Sequence, residues 1–195
     1  MDGREFWLSV ETYPPFGPKL RRFYELEYLV PQLKGDSLLD IGCGDGTLLH
    51  LLMETTDIKD FFACDISPRL LAFVDDSVIK FTYDAYEPTS LPAADIALLS
   101  SVVHYITDDD ILQRFMKNIQ SRVVFIKAPC VEEGETIGRT KSGVGDNYVA
   151  CYRRLEELLA IVGRVFDIAD VSRAYPDEIE SKFGSLQFWI KGVKK

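Results

Sequence analysis

The stretch from Ser37 to Leu52, Ser-Leu-Leu-Asp-Ile-Gly-Cys-Gly-Asp-Gly-Thr-Leu-Leu-His-Leu-Leu, constrains the fold more than any other part of this chain. Leu38, Leu39 and Ile41 form a short apolar run that reads as a buried strand. Gly42, Gly44 and Gly46 break it, and leucines at helical spacing follow. The pattern is strand, tight turn, helix. Glycine at every second turn residue permits positive φ and lets the backbone approach whatever the turn holds. The helix start beyond it offers unpaired N–H groups, and in an open α/β sheet the carboxyl end of such a strand is where ligands bind. A dinucleotide fingerprint G-x-G-x-x-G does not fit, because its third glycine would fall on Thr47 or Leu49. A phosphate-binding P-loop does not fit either, since no lysine follows the glycines.

What the stretch resembles is the first motif of the class I S-adenosylmethionine-dependent methyltransferases, Asp-x-Gly-x-Gly-x-Gly, carried here by Asp40, Gly42, Gly44 and Gly46 without a departure. The resemblance implies S-adenosyl-L-methionine as cofactor and S-adenosyl-L-homocysteine as product. That cofactor has no phosphate, so no phosphate-cradling lysine is required, and Asp40 can accept hydrogen bonds or balance the cofactor's charged amino-acid end. A second short strand, Asp60 to Asp65, ends in an acid 19 residues after Gly46. A carboxylate about 20 residues beyond the glycine turn is the placement that binds ribose hydroxyls in nucleotide-binding βαβ units, and the resemblance gives Asp65 both ribose hydroxyls. The other reading, an N-terminal charge for the next helix, is already filled by Ser67 as cap and Pro68 as first helical residue. Asp84 ends a third strand, and the resemblance gives it the adenine amino group. Cys43, Ile66, Ala85 and Ser100 are expected beside these residues in the cofactor site.

The rest of the chain alternates in the same way. Helical spacing runs from Lys19 to Leu33, Ser67 to Asp75 reads as a short helix and Val78 to Tyr83 as a strand. Ile96 to Ser100 reads as the fourth strand, Thr107 to Ile119 as a helix capped by Asp108, Asp109 and Asp110, and Val123 to Lys127 as the fifth strand. Pro129 to Asn147, with four glycines and mixed charge, is expected to be a long loop, and Tyr148 to Ile161 a helix ended by Gly163. Arg164 to Val171 and Ser185 to Val193 close the chain as two strands with no helix between them. Strand–helix alternation means a parallel sheet with helices on both faces. The closing pair implies a C-terminal hairpin in which one edge strand runs antiparallel. This matches the three-layer, Rossmann-like, seven-stranded α/β sheet that the resemblance implies. Residues 1–34, an aromatic arm (Trp7, Tyr13 to Pro18) and a helix, precede a catalytic domain expected over 35–195. The arm either folds over the site as a lid or packs on the sheet. Its Tyr13-Pro-Pro-Phe16 is not the Asp/Asn-Pro-Pro-Tyr/Phe of nucleobase amino-methyltransferases, because its first residue and its place in the chain are both wrong.

Composition narrows the partners. A net charge of −9 argues against a nucleic-acid surface, whose affinity rests on phosphate contacts. No run approaches 18 apolar residues, so no membrane span is expected. The four cysteines have neither a C-x-x-C pair nor zinc spacing, which reads as reduced thiols in a cytoplasmic protein that binds no metal. The expected partner is a small-molecule or protein acceptor, and the expected state a monomer or weak homodimer. Methyl transfer depends mainly on positioning, with a base needed only for a protonated nucleophile. Candidates on the acceptor side are His104, as base or as packing, with Tyr105 beside it, and Asp146, which could instead cap the following helix. Two other classes compete with the methyltransferase: a catalytically silent cofactor-binding subunit that regulates a partner, and a nucleotide-dependent oxidoreductase, which the glycine spacing opposes.

Overall fold

The computed structural model describes residues 3–10, 19–87, 89–132, 138–142, 145–180 and 186–195. In chain order the elements are α1 (Gly3–Ser9), α2 (Lys19–Leu29), β1 (Ser37–Ile41), α3 (Thr47–Thr55), β2 (Asp60–Asp65), α4 (Pro68–Leu71) and β3 (Ile79–Thr82). There follow β4 (Ile96–Ser100), a 3-10 turn (Val103–Tyr105), α5 (Asp109–Asn118), β5 (Val123–Cys130), β6 (Gly138–Ser142) and β7 (Gly145–Ala150). The chain closes with α6 (Leu155–Val162), β8 (Phe166–Arg173), α7 (Asp177–Glu180) and β9 (Leu186–Lys194). Seven strands form one sheet in the order β3-β2-β1-β4-β5-β9-β8. The pairs of β1 with β2 and β4, β2 with β3, and β4 with β5 are parallel, while β9 is antiparallel to both β5 and β8.

The strands read as near-continuous apolar runs because both faces are covered. From β1, Leu39 and Ile41 face a core completed by Leu112, Phe115 and Met116 of α5 and Leu158, Ile161 and Val162 of α6. Leu38 faces the other way, into a core with Leu29 of α2, Leu48, Leu49 and Leu52 of α3, and Trp189 of β9. Asp108 caps α5, accepting from the Ile111 N–H at 2.9 Å.

Three expectations need correction. The antiparallel strand is internal: β9 lies between β5 and β8, and the edge strand is β8. Burial explains the placement, since Trp189 and Ile190 are fully buried on opposite faces of β9, whereas β8 exposes Asp167, Ile168 and Ala169. The segment 129–147 is not one loop. β5 runs on to Cys130, and β6 pairs with β7 in a separate two-stranded antiparallel sheet. Pro129 is tolerated in β5 because β4 ends opposite Lys127, leaving β5 with only β9 as neighbour at that point. Tyr148, Val149 and Ala150 pair across to Thr140, Arg139 and Gly138, so the helix starts at Leu155, where the apolar spacing becomes helical. Its start is closed by Glu157, whose carboxylate accepts from the Arg154 N–H at 3.1 Å and from the Arg154 guanidinium, a task expected of Asp146.

The helix ahead of β1 is fastened to the sheet by charge as well as by packing. Glu25 of α2 and Lys127 of β5 form a buried ion pair, to which Tyr175 adds a hydrogen bond donated to Glu25 and one accepted from Lys127 Nζ at 3.1 Å. Burial by itself would raise the Glu25 carboxyl, but Lys127 and then Arg22 outweigh it and hold it at about 2. Lys127→Met leaves the buried Glu25 carboxylate with only Arg22 as its ionic partner, and the expected loss is about 3 kcal/mol in denaturant titration. Glu25→Leu in the same chain should restore most of it. Because Glu25 sits below its ordinary value, its contribution is full above about pH 4.5 and disappears as the pH falls toward 2.

Candidate functional site: the glycine turn and the cavity above it

The glycine turn is stitched to the end of β2. The N–H groups of Gly42 and Cys43 both donate to the Cys64 carbonyl, at 2.7 and 3.1 Å, and the Gly44 N–H donates to Asp65 Oδ2 at 2.9 Å. Gly42, Gly44 and Gly46 have φ of 72°, 59° and 76°. At Gly42 space excludes a side chain as firmly as backbone conformation does, because a Cβ there would lie 2.4 Å from Val102 Cγ2. Asp65 also accepts from the Ser67 N–H at 2.8 Å, which leaves further lone pairs on both carboxylate oxygens. Ser67 in turn caps α4 by accepting from the Leu70 N–H.

A cavity opens beside this turn at the carboxyl ends of the parallel strands. From β1 and its turn come Ile41, Gly42 and Gly44; from the ends of β2 and β3 come Cys64, Asp65, Ile66, Tyr83, Asp84, Ala85 and Tyr86. The other side is Ser100, Ser101, Val102, Tyr105 and Ile106, with Phe115 of α5, and α1 contributes Arg4 and Trp7. Gly42, Gly44, Asp65, Ile66, Asp84, Ala85, Ser100 and Tyr105 therefore meet around one space. Asp40, Cys43 and Gly46 shape the turn without lining the cavity. Gly46 is the residue before α3, whose exposed start is closed by Asp45, accepting from the Thr47 N–H at 3.0 Å.

The two buried carboxylates differ. Burial raises Asp65 against the pull of the Ser67, Gly44 and Ile66 N–H groups. Burial also raises Asp40, to about 7, opposed by Arg22 and reinforced by Asp65. Asp40 Oδ1 has no hydrogen-bond partner among the described residues. Asp84 is engaged at both oxygens: Oδ1 accepts from the Tyr86 N–H at 2.9 Å, and Oδ2 lies 2.6 Å from Arg4 Nε.

The acceptor-side candidates separate. Tyr105 lines the cavity. His104 does not: it is buried, its ring stacks 5.9 Å from Tyr152, and its Nδ1 has no partner among the described residues. Burial, with Lys127 and Arg153 adding to it, pushes its imidazole down to about 3. Asp146 lies on β7, and its side chain falls outside the described residues. Arg4, Tyr86 and Ser101 line the cavity without having been read from the sequence as site residues, and Trp7, read as part of the aromatic arm, lines it too. Ser101 has φ 65°, a conformation non-glycine residues rarely take, and nothing in the Ser-Ser pair distinguishes the strained member. Arg153 also goes unread. It is buried and donates to the carbonyls of Val103 and Ile106, and its Nε donates to Asp109, so that it fixes the turn that carries Tyr105.

A family model described as a methyltransferase domain matches residues 39–124. Among solved structures, an S-adenosylmethionine-dependent methyltransferase from Clostridium acetobutylicum is 15% identical over 92% of this chain and 93% of its own, with a TM-score of 0.68. One from Mesorhizobium loti is 17% identical over 89% and 98%, also at 0.68. The N-methyltransferase NodS from Bradyrhizobium japonicum, in complex with S-adenosyl-L-homocysteine, is 11% identical over 98% and 96%, at 0.66. The solved structures establish the fold. The domain match spans less than half of the chain, and the sheet order and the glycine turn agree with it. The site fits S-adenosylmethionine: a turn that excludes side chains lies beside two carboxylates with free lone pairs.

Asp65→Ala strands the Gly44 and Ser67 N–H groups and removes the buried acceptor. Its dissociation constant for S-adenosylhomocysteine is expected to rise at least about tenfold, or ~1.4 kcal/mol, in calorimetric titration. Asp40 holds its proton up to about pH 7 in the folded chain but releases it near 3.8 when unfolded. Stability should therefore fall as the pH rises from about 4 to 7, and thermal melts of Asp40→Asn should lose that slope.

Proposed function

We propose that this chain methylates a small-molecule or protein acceptor, and that the cavity between Asp65 and Tyr105 is where donor and acceptor meet. The observation that carries this reading is the convergence on one space of a side-chain-free turn, a carboxylate fixed by two backbone N–H groups, and a polar rim at Ser100, Ser101 and Tyr105. When bound, S-adenosylmethionine supplies a methyl group on a positively charged sulfur that leaves as a neutral thioether. Asp65 receives the ribose hydroxyls on its remaining lone pairs. Asp84, with Ala85, faces the adenine end. Asp40, buried behind the turn with one oxygen unpartnered, balances the cationic amino-acid end through the backbone of Gly42 to Gly44. Ser101, at positive φ, presents the β4 end to the acceptor.

Such a site works by orientation, which can supply up to ~7–11 kcal/mol of the barrier. Among the described lining residues there is no histidine or lysine, so an acceptor that arrives with a free lone pair suits it better than one that must first lose a proton. His104 is then a packing residue, neutral at physiological pH, beneath Tyr105 and Tyr152. The absence of histidine and lysine among the described lining residues also favours a second reading, a cofactor-binding subunit without turnover of its own. Among the described residues no helix is long and apolar enough to cross a membrane, and a cytoplasmic monomer or weak homodimer suits either reading.

Calorimetric titration with S-adenosylhomocysteine, with NADH as control, tests the donor site: micromolar binding of the former alone is expected. Binding without turnover across a screen of amine, hydroxyl, thiol and peptide acceptors would favour the silent subunit. Once an acceptor is known, His104→Ala should leave kcat within about threefold of the parent. A loss of 10²-fold or more, the scale of general-base catalysis, would restore His104 as the base.

A further inference from the structure

The shortest helix-borne segment of the cavity lining belongs to α1, and it touches the cavity's margin at three separate places. Phe6 and Trp7 are buried in a small cluster with Leu70 of α4 and Ala150 of β7, against which Ile66 and Tyr105 pack. Ile66 and Leu70 follow β2, on the ribose side; Tyr105 follows β4, on the acceptor side. Trp7 meets Tyr105 edge-on, with ring centroids 5.0 Å apart at 78°. The third attachment is ionic. Arg4 reaches Asp84 at 2.6 Å and Glu87 at 2.7 Å, both just beyond β3, so one guanidinium spans two carboxylates. Both Arg4 and Trp7 line the cavity.

A helix of seven residues does not hold itself together in water. What keeps α1 in place is this set of side-chain attachments, and the ionic one is partly exposed, with Arg4 at 37% and Asp84 at 16%. Exposed pairs are weak and screened by salt. Asp84 moreover serves two partners, since it anchors α1 and also faces the space assigned to the adenine.

We propose that α1 is the gate of the donor site and that Arg4, through Asp84 and Glu87, is its latch. The inference rests on the reading of the cavity as the donor site. A donor entering or leaving must pass the helix that bridges both banks, so both steps wait on release of the Arg4 pairs. A latch differs kinetically from an ordinary ligand contact. Weakening a contact speeds dissociation alone, whereas weakening a latch speeds association and dissociation together and moves the dissociation constant little.

The test is stopped-flow binding and displacement of S-adenosylhomocysteine on the full chain, parent against Arg4→Ala and Arg4→Lys, followed by tryptophan fluorescence. Arg4→Ala is expected to raise both rate constants at least fivefold with the dissociation constant within about twofold, and Arg4→Lys to fall between. In the parent both rates should climb from 50 to 500 mM potassium chloride, while Arg4→Ala stays flat. Unchanged rates, or a faster dissociation alone, overturn the latch. Hydrogen exchange in the free protein gives a reading independent of ligand: Arg4→Ala should hasten exchange of the amides of residues 5–9, and unchanged exchange overturns the latch as well. A parent chain that binds no S-adenosylhomocysteine while its α1 exchange responds to Arg4→Ala would overturn the donor reading and leave only a mobile helix.

Discussion

The site depends on one local constraint: the turn after β1 is bonded to the end of β2 and not to itself. Register brings Ile41 level with Cys64, so the chain leaving β1 finds the Cys64 carbonyl and the Asp65 carboxylate directly beside it. Satisfying both with successive N–H groups forces the positive φ values that only glycine takes cheaply. The same bonds fix the Asp65 rotamer, start α3 at Thr47, and bring Gly42 against Val102 at the end of β4. Three strands thus reach the cavity in one rigid arrangement, and the loops beyond them inherit their positions.

Charge is distributed around that arrangement with a consistent sign. Asp40 and Asp65 are both buried at the carboxyl end of the sheet, and burial opposes the ionisation of each. In isolation this is an expensive way to build a turn. It becomes sensible when the ligand brings positive charge, because a cation near Asp40 favours the ionised form and recovers part of the desolvation cost. Both Lys127 and Arg22, the cations that act on Asp40, are paired with Glu25.

Most of the sheet was legible in the sequence because its central strands carry short apolar runs and its parallel strands alternate with helices. That Gly42, Gly44, Asp65 and Asp84 meet at one cavity was legible for a related reason: they sit on consecutive strand ends, where spacing along the chain converts directly into position. The acceptor side was not. The hairpin of β6 and β7 hides in a glycine-rich, charged stretch whose alternation is too short to announce a strand, and Tyr148 to Ala150 fits a helix period as readily as a strand until a partner is known. Arg4 and Arg153 are distant in sequence from the carboxylates and carbonyls they bond, and no local pattern marks a residue whose role is set by tertiary contact alone. His104 shows the converse. Its chemistry and its neighbourhood drew attention to it, but burial decides what an imidazole can do, and burial is a property of the fold.

The insertion of β9 between β5 and β8 also bears on how the molecule is made. β5 is complete when Cys130 has been synthesised, yet the strand that covers its outer edge begins only at Leu186. Through that interval a long apolar strand presents unpaired backbone groups to its surroundings, the situation in which edge-to-edge association starts. β8 cannot close the gap, because its register places it beyond β9 and nowhere against β5. Trp189, wholly buried and stacked on Tyr28 of α2, arrives with β9 to tie the first long helix to the last strand. The nascent chain therefore carries an unfinished sheet through much of its synthesis, and the final strand converts an exposed template into an interior one.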